Sequence, residues 1–186
     1  VQTISNILND SEIELKNIEL ISHSTTQAIN ALLESDTSKV GIIAMGVGPE
    51  KKDVIKRTNL QDTKINFDQD IRTCHAFLDT SHLISEEEVK TTIKNLQSKG
   101  AKVIVATESF GVDDPSNELF VMKNAADLNI PSTASHEISG TYGLEIRTLT
   151  GAINASVLPK TFQVANFVEQ AIRDAGINAP LMIMKG

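Results

Sequence analysis

Short apolar runs alternate with helix-type patterns along most of this chain, and this alternation constrains the fold more than any other feature. Each apolar run has the length of a single strand, and the segments between the runs repeat apolar residues at helical spacing. Such an order predicts parallel sheets joined by crossover helices, so we expect an α/β fold. The predicted strands cover residues 18–21, 39–45, 74–78, 102–107, 131–134 and 181–184, with a shorter extended piece at 64–67.

Capping residues and a proline predict where several helices begin and end. Ser85 and Glu88 form a capping box, in which the hydroxyl and the carboxylate each satisfy a backbone N–H group at a helix start. Pro159 interrupts the apolar pattern in the last third of the chain. We therefore predict two long helices, at residues 144–158 and 160–174, with a break at this proline.

One segment near the amino terminus combines a strand, a hydroxyl cluster and a helix. The apolar run ends at Ile21, Ser24, Thr25 and Thr26 follow, and a helical pattern begins at Ala28. Serine and threonine cap helix starts, where free N–H groups and the helix dipole also favour an anion such as phosphate. Two interpretations stay open, a simple helix cap and an anion site.

Composition and charge exclude several classes of protein. The formal net charge of −7 argues against nucleic acid as a main partner, because a phosphate backbone requires lysine and arginine clusters. The single cysteine, Cys74, permits no internal disulfide, and within a predicted strand we expect it to be a packed thiol. No stretch approaches the roughly 20 apolar residues of a membrane span. We therefore expect a soluble, cytoplasmic protein.

Candidate catalytic residues follow the strand predicted at residues 131–134. Glu137 lies at the carboxyl end of that strand, where α/β sheets bind ligands, and it is a candidate base. Arg147 is a candidate for holding a carboxylate or a phosphate. The alternative is an ion-pair network that ties a helix to the sheet, and the sequence favours neither. The four histidines lack the spacing of metal ligands, so we predict no metal site.

A glycine pair offers a weaker alternative function. Gly46-Val47-Gly48 follows a predicted strand, which is the position of a dinucleotide-binding turn. The third glycine of that motif is missing and Pro49 follows. A dinucleotide-binding oxidoreductase is therefore the weakest of the hypotheses.

An ordered set of motifs resembles the hydantoinase/oxoprolinase family, whose members include subunits of ATP-dependent hydantoinases, 5-oxoprolinase and acetone carboxylase. The longest match is similar to the family's H-G-T-T-x-A-x-N-A-L-L-E, with Ser24 in place of the glycine. Others are similar to the S-F-x-N-P-x-H-E, S-H-E and E-R-T elements. The matching segments are His23–Glu34, Val40–Ile43, Asp53–Arg57, Ser109–Glu118, Ser135–Glu137 and Glu145–Pro159.

The resemblance implies a fold and a division into domains. The family's fold is an actin-like, two-lobed ATPase built from RNase H-like halves, with an inserted α/β subdomain. On that basis residues 1–58 are expected to be a partial RNase H-like lobe that lacks its first hairpin. Residues 59–180 would form the inserted subdomain with the two long helices, and residues 181–186 the first strand of the following lobe.

The resemblance also implies a function. The chain is expected to be a fragment of an ATP-dependent hydrolase that opens a cyclic amide of the hydantoin or 5-oxoproline type. The family's two phosphate loops, D-x-G-G-T and D-G-G, are missing, so the isolated fragment is expected to be inactive. ATP and Mg²⁺ are the implied cofactors of the full-length protein, and none is expected to bind this fragment tightly.

The resemblance assigns roles to the candidate residues and suggests partners. His23, Ser24, Thr25, Thr26 and Asn30 are expected to line the cleft beside phosphate or substrate, while Glu137 and Arg147 orient the substrate. A partner subunit of the hydantoinase B type is implied, and a homo-oligomer is allowed. The alternative function is a non-catalytic module for substrate recognition or subunit contact, in which Ser24 to Thr26 only cap a helix.

Overall fold

The structure is a computed structural model that describes residues 14–60, 63–66 and 69–185. The chain divides into two compact units, a larger one of residues 32–159 and a smaller one of residues 1–31 and 160–186. The strands are β1 (Ile21–Thr25), β2 (Val40–Gly46), β3 (Thr63–Asn66), β4 (Gln69–Ile71), β5 (Thr73–Asp79), β6 (Val103–Glu108), β7 (Ser132–Ala134) and β8 (Leu181–Lys185). The α-helices are α1 (Gln27–Leu33), α2 (Lys51–Thr58), α3 (Glu86–Ser98), α4 (Ser116–Asp127), α5 (Ser135–Ile138) and α6 (Leu144–Asp174). Short 3₁₀ turns lie at Leu15–Asn17 and Gly48–Glu50.

A four-stranded parallel sheet is the centre of the larger unit. Its strand order is β5-β2-β6-β7, and every residue of β2 is buried. The α/β fold class with parallel strands is therefore confirmed. The domain boundary predicted at residues 58 and 59 falls between β2 and β5, which pair directly in this sheet. The assignment of residues 1–58 and 181–186 to actin-like lobes stays a prediction.

Helices cover both faces of this sheet, which explains why its strands are apolar on both sides. On one face, β2 and β6 residues such as Ile43 and Ile104 pack against the apolar sides of α3 and α4. On the other face, Ile42 and Val105 pack against Ala152 of α6. The alternation of side chains along each strand thus supplies two separate cores from a single layer of backbone.

The smaller unit contains a parallel strand pair. β1 pairs with β8 from Ile21 opposite Leu181 to Thr25 opposite Lys185. The strand predicted at residues 18–21 is therefore wrong in position, because β1 begins at the residue where the predicted strand ends. Leu20, predicted to be buried, is 50% exposed. Pairing with β8, a partner distant in sequence, decides the position of β1, and local hydrophobicity does not reveal it.

The predicted break at Pro159 is also wrong. α6 is a single helix from Leu144 to Asp174 with the proline inside it. A proline inside a helix removes one backbone hydrogen bond and costs about 3 kcal/mol. Apolar burial on both sides of the proline offsets that cost, because Ala155 precedes it with no exposure and Ile172 follows it with 3%. The capping box of Ser85 and Glu88 is confirmed, with both of its hydrogen bonds present.

None of the helices in the described ranges combines sufficient length with sufficient apolarity to cross a bilayer. The long helix α6 carries acidic and basic residues along its length.

We predict that His75 makes the stability of the larger unit depend on pH. Burial, and secondarily the charge of Lys99, lower the pKa of His75 from 6.5 to about 4. Between these values the unfolded chain binds a proton more readily than the folded chain, so the free energy of unfolding falls as the pH drops from 6.5 towards 4. In the fold, the ring Nε2 lies 2.8 Å from the Thr58 hydroxyl.

The matched control is His75→Gln, which keeps a hydrogen-bonding group towards Thr58 but does not titrate. Urea denaturation at several pH values gives the difference in free energy of unfolding between the natural chain and this variant. The free energy of unfolding of the natural chain should decrease relative to that of the variant as the pH falls from 6.5 to 4. A difference that stays constant from pH 6.5 to pH 4 would contradict the prediction.

Candidate functional site

The strand order of the larger sheet predicts where a ligand binds, namely at the carboxyl ends of its parallel strands, which we call the carboxyl edge. The chain passes from β2 to β5 on one side and later to β6 on the other side. In open α/β sheets, ligands bind outside the carboxyl ends of the strands at such a reversal of strand order. The carboxyl ends of β6 and β7 lie at this edge, and Glu108 and Ser135 stand at their ends.

A fully buried carboxylate, Glu118 of α4, connects these two strand ends. Its Oε1 accepts hydrogen bonds from the Glu108 backbone N–H and the Ser135 hydroxyl, both at 2.9 Å. Its Oε2 accepts from the His136 backbone N–H at 3.1 Å and lies 2.7 Å from His136 Nδ1. The side chain has no solvent exposure. Two backbone N–H groups and one hydroxyl donate to this carboxyl group, and such donors favour its ionised form.

The loop after β6 passes so close to Glu118 that one of its residues has to be glycine. A Cβ atom on Gly111 would lie 2.6 Å from Glu118 Oε1 and 3.1 Å from its Cδ. Glu118 has no room to move away, since both of its oxygens are held by backbone N–H groups. The glycine thus allows the loop to cover the carboxylate.

Arg147 of α6 balances the charge of this carboxylate from within the protein. Its side chain has no solvent exposure. Its Nε donates to the Ser135 hydroxyl at 2.9 Å, Nη1 donates to the Thr141 carbonyl at 2.8 Å, and Nη2 makes a short bond to the Glu108 carbonyl. Burial lowers the pKa of the Arg147 guanidinium, while the charge of Glu118 opposes that shift.

The position of Arg147 is relevant to both interpretations of this residue, as a group that holds a ligand and as part of a network that ties a helix to the sheet. The structure contains the network that ties its helix to the sheet, with Ser135 as the bridge between Arg147 and Glu118. Nε, Nη1 and Nη2 of the guanidinium each donate to a group of the protein itself. A direct role of Arg147 in holding a substrate stays a prediction.

His136 is the member of the network nearest to solvent. Its side chain is 18% exposed. One ring nitrogen, Nδ1, faces Glu118, whereas Nε2 has no hydrogen-bond partner among the described residues. The neighbouring Glu137, the predicted base, is exposed on α5, and its side chain makes no hydrogen bond within the described part of the chain. Sequence analysis missed Glu118 and His136, although both occur in motifs that carry the family resemblance.

A second carboxyl group lies at the end of β6. The Glu108 residue is 8% exposed, and its Oε1 accepts from the Asn117 amide at 3.0 Å. Burial raises the pKa of Glu108 above its ordinary value, although hydrogen bonds from Asn117 and Thr80 oppose the shift. The nearby charges of Glu118 and Asp114 raise this pKa further. Glu108 is therefore a second buried carboxyl group at the same edge of the sheet, with its neutral form favoured relative to an exposed glutamate.

The predicted cleft residues of the amino-terminal segment belong to the smaller unit. His23 is half-buried on β1, and Asn30 is exposed on α1. The Thr26 carbonyl accepts the Asn30 N–H at 2.9 Å, which places Thr26 directly before the helix. Ser24 and Thr25 belong to β1 by their backbones, opposite residues 184 and 185, and their side chains lie outside the described part of the structure. The anion-site interpretation stays a prediction.

The turn at Gly46-Val47-Gly48 does not have the chemistry of a phosphate site. A Cβ atom on Gly48 would lie 2.8 Å from Asp79 Oδ2, so a carboxylate occupies the space beside the turn. Hydrogen bonds from the Ser81 hydroxyl and N–H lower the pKa of Asp79, which keeps this carboxylate charged. Among the described residues, no cluster of three or more His, Cys, Asp or Glu side chains is arranged to hold a metal ion. The described residues at this turn do not fit ATP with Mg²⁺.

The parallel sheet and its carboxyl-edge network define a doubly wound α/β module of the kind that occurs in larger enzymes. The family model described as the hydantoinase/oxoprolinase N-terminal region matches residues 1–128. The chain therefore belongs to the hydantoinase/oxoprolinase family, as its motifs predicted. A search of curated proteins finds no match.

Two solved structures resemble the chain in fold. The crystal structure of an ATP-dependent caprolactamase from Pseudomonas jessenii has a TM-score of 0.62 and 19% sequence identity. It matches 98% of this chain, which spans 29% of the caprolactamase chain. The nucleotide-free structure of acetone carboxylase, described with the mechanism of ATP-dependent acetone carboxylation, has a TM-score of 0.58 and 16% identity. That match covers 88% of this chain and 27% of the other.

We predict that Arg147→Met strongly destabilises the larger unit. The substitution leaves the Glu118 carboxylate buried without its balancing charge, and removal of one partner from a buried charge pair costs ~3–5 kcal/mol. Urea denaturation followed by circular dichroism measures the loss. Arg173→Met is the control, because that arginine is 70% exposed and pairs only with Glu169 on the helix surface. Equal effects of the two substitutions would show that the buried network adds no stability.

Proposed function

We propose that this chain is part of an ATP-dependent enzyme that hydrolyses a cyclic amide. The observation that carries the proposal is the family membership over residues 1–128. The structural likeness to an ATP-dependent caprolactamase agrees with it, because caprolactam is itself a cyclic amide. The candidate substrates are hydantoins, 5-oxoproline and related lactams.

The chemistry of the described residues supports a role on the substrate side of that reaction. The carboxyl edge of the sheet carries a histidine and a buried carboxyl group, and the nearby Arg57 is paired with Asp53 and Glu145. We propose that ATP and Mg²⁺ bind to phosphate loops elsewhere in a longer, cytoplasmic protein, and that the isolated chain is inactive. A partner subunit of the hydantoinase B type belongs to the same proposal.

The proposal is tested with the full-length protein and its partner subunit. The protein is incubated with ATP, Mg²⁺ and, separately, hydantoin, 5-oxoproline or caprolactam, while ADP and ring-opened product are measured. We expect ADP formation that depends on one of these amides, with the matching ring-opened product. A parallel reaction with acetone and bicarbonate tests the carboxylase alternative. Carboxylation without amide hydrolysis, or no turnover with any amide, would refute the proposal.

We predict that Thr25→Val weakens the full-length enzyme if the hydroxyl segment lines the cleft. Loss of one hydroxyl that contacts substrate or phosphate should raise KM or lower kcat by roughly tenfold, because a hydrogen bond to a charged group contributes about 1.5–3 kcal/mol. Thr91→Val on the exposed surface of α3 is the control. Unchanged turnover and nucleotide affinity in Thr25→Val would remove this residue from the site.

A further inference from the structure

We propose that Glu118 and His136 form a catalytic dyad, in which His136 Nε2 takes a proton from the attacking water and Glu118 positions the ring. This inference rests on the proposed amide hydrolysis for its substrate. In it His136 is the catalytic residue, and Glu118 is a positioning residue that acts through the imidazole. The dyad is distinct from the exposed Glu137, the base that the sequence suggested.

Hydrogen bonding around Glu118 favours one assignment of the ring hydrogen of His136. The carboxyl group accepts from the Glu108 N–H, the Ser135 hydroxyl and the His136 N–H, and three such donors favour its ionised form. Nδ1 lies 2.7 Å from Oε2, and the dyad assigns Nδ1 as the donor to this carboxylate. In the neutral ring this leaves a lone pair on Nε2. A carboxylate that fixes a histidine tautomer in this way is the arrangement by which hydrolases prepare a general base.

The surroundings of the dyad hold its geometry. Glu118 is bound at both oxygens by backbone N–H groups, which do not rotate away. Arg147 fixes the Ser135 hydroxyl from the other side, since its Nε donates to the same oxygen that donates to Glu118. A base supported by a buried, charge-balanced shell loses little conformational freedom during the reaction.

His136 Nε2 is located where a ligand can contact it. His136 follows β7 directly and lies at the carboxyl edge of the parallel sheet, where ligands bind. Its ring is partly exposed, and Nε2 has no partner within the described part of the chain. The buried carboxyl group of Glu108 belongs to the same edge.

The proposed step is the addition of water to the ring carbonyl carbon of the cyclic amide. The water oxygen forms a bond to that carbon, and the π electron pair of the carbonyl moves onto the carbonyl oxygen. One proton of the water passes to Nε2, which leaves an imidazolium whose charge is balanced by Glu118. No oxidant or reductant is required.

A purely structural role of His136 is the alternative, because its backbone N–H and its ring also connect α5 to Glu118 of α4. His136→Asn separates the two roles. The asparagine Nδ2 takes the position of Nδ1 and continues to donate to Glu118, but the variant has no group equivalent to Nε2. His82→Asn is the matched control, since His82 also faces a carboxylate, Glu88, but is 57% exposed on the surface.

The first experiment measures amide-dependent turnover of the full-length protein and its partner subunit. We expect His136→Asn to lower kcat by about 100-fold or more, the range of general base catalysis, with KM little changed. His82→Asn should retain the natural rate. Retention of the natural kcat by His136→Asn would overturn the dyad.

The second experiment needs no substrate, so it separates a failure of the dyad from a failure of the proposed function. Nitrogen-15 NMR of the imidazole at neutral pH reports which ring nitrogen of His136 carries the hydrogen. We expect the Nδ1–H tautomer, with loss of this preference in Glu118→Gln and no change in the surface control Glu87→Gln. The Nε2–H tautomer in the natural chain would overturn the dyad whatever the enzyme hydrolyses. The Nδ1–H tautomer in a protein that turns over no amide would support the dyad and remove only the proposed substrate.

Discussion

The charge of Glu118 inside the larger unit is the constraint on which the carboxyl edge of its sheet depends. An ionised carboxylate without solvent exposure is costly unless donors and a counter-charge surround it. Backbone N–H groups from the ends of β6 and β7 supply two of its donors, and Arg147 of α6 supplies the counter-charge through Ser135. Two strand ends and two helices therefore meet at one carboxyl group.

The sequence predicts most of the larger unit because its signals are local. Strands buried on both faces are continuous apolar runs, as in Val40–Gly46, and the capping box of Ser85 and Glu88 marks a helix start without reference to the rest of the chain. The predictions that fail depend on distant partners. β1 takes its position from β8, and Pro159 remains inside α6 because burial on both sides of it outweighs its local cost.

The candidate site was predicted only in part, for the same reason. The position of residues 135–137 after a predicted strand indicated the edge of the sheet that carries the Glu118 network, and Arg147, predicted to hold a ligand or to join an ion-pair network, also belongs to that network. Nothing local distinguishes Glu118 from the exposed carboxylates on other helices, since its burial follows from the approach of β7 and of the loop at Gly111. The sequence therefore named Glu137 as the base, whereas the structure directs attention to its neighbour His136.

The charges described at this edge are largely balanced within the protein. Arg147 enters the edge from α6 with its donors occupied by protein groups, and the nearby Arg57 pairs with Asp53 and Glu145. The carboxylate of Asp79 stays ionised beside the Gly48 turn, and Glu108 adds a carboxyl group with a raised pKa. A raised pKa favours the neutral form of Glu108, so Asp79 is the carboxylate of this group that repels an anion, and that repulsion is stronger in a partly desolvated setting than in water. This balance of charges supports the proposal of an uncharged amide as the ligand of the edge.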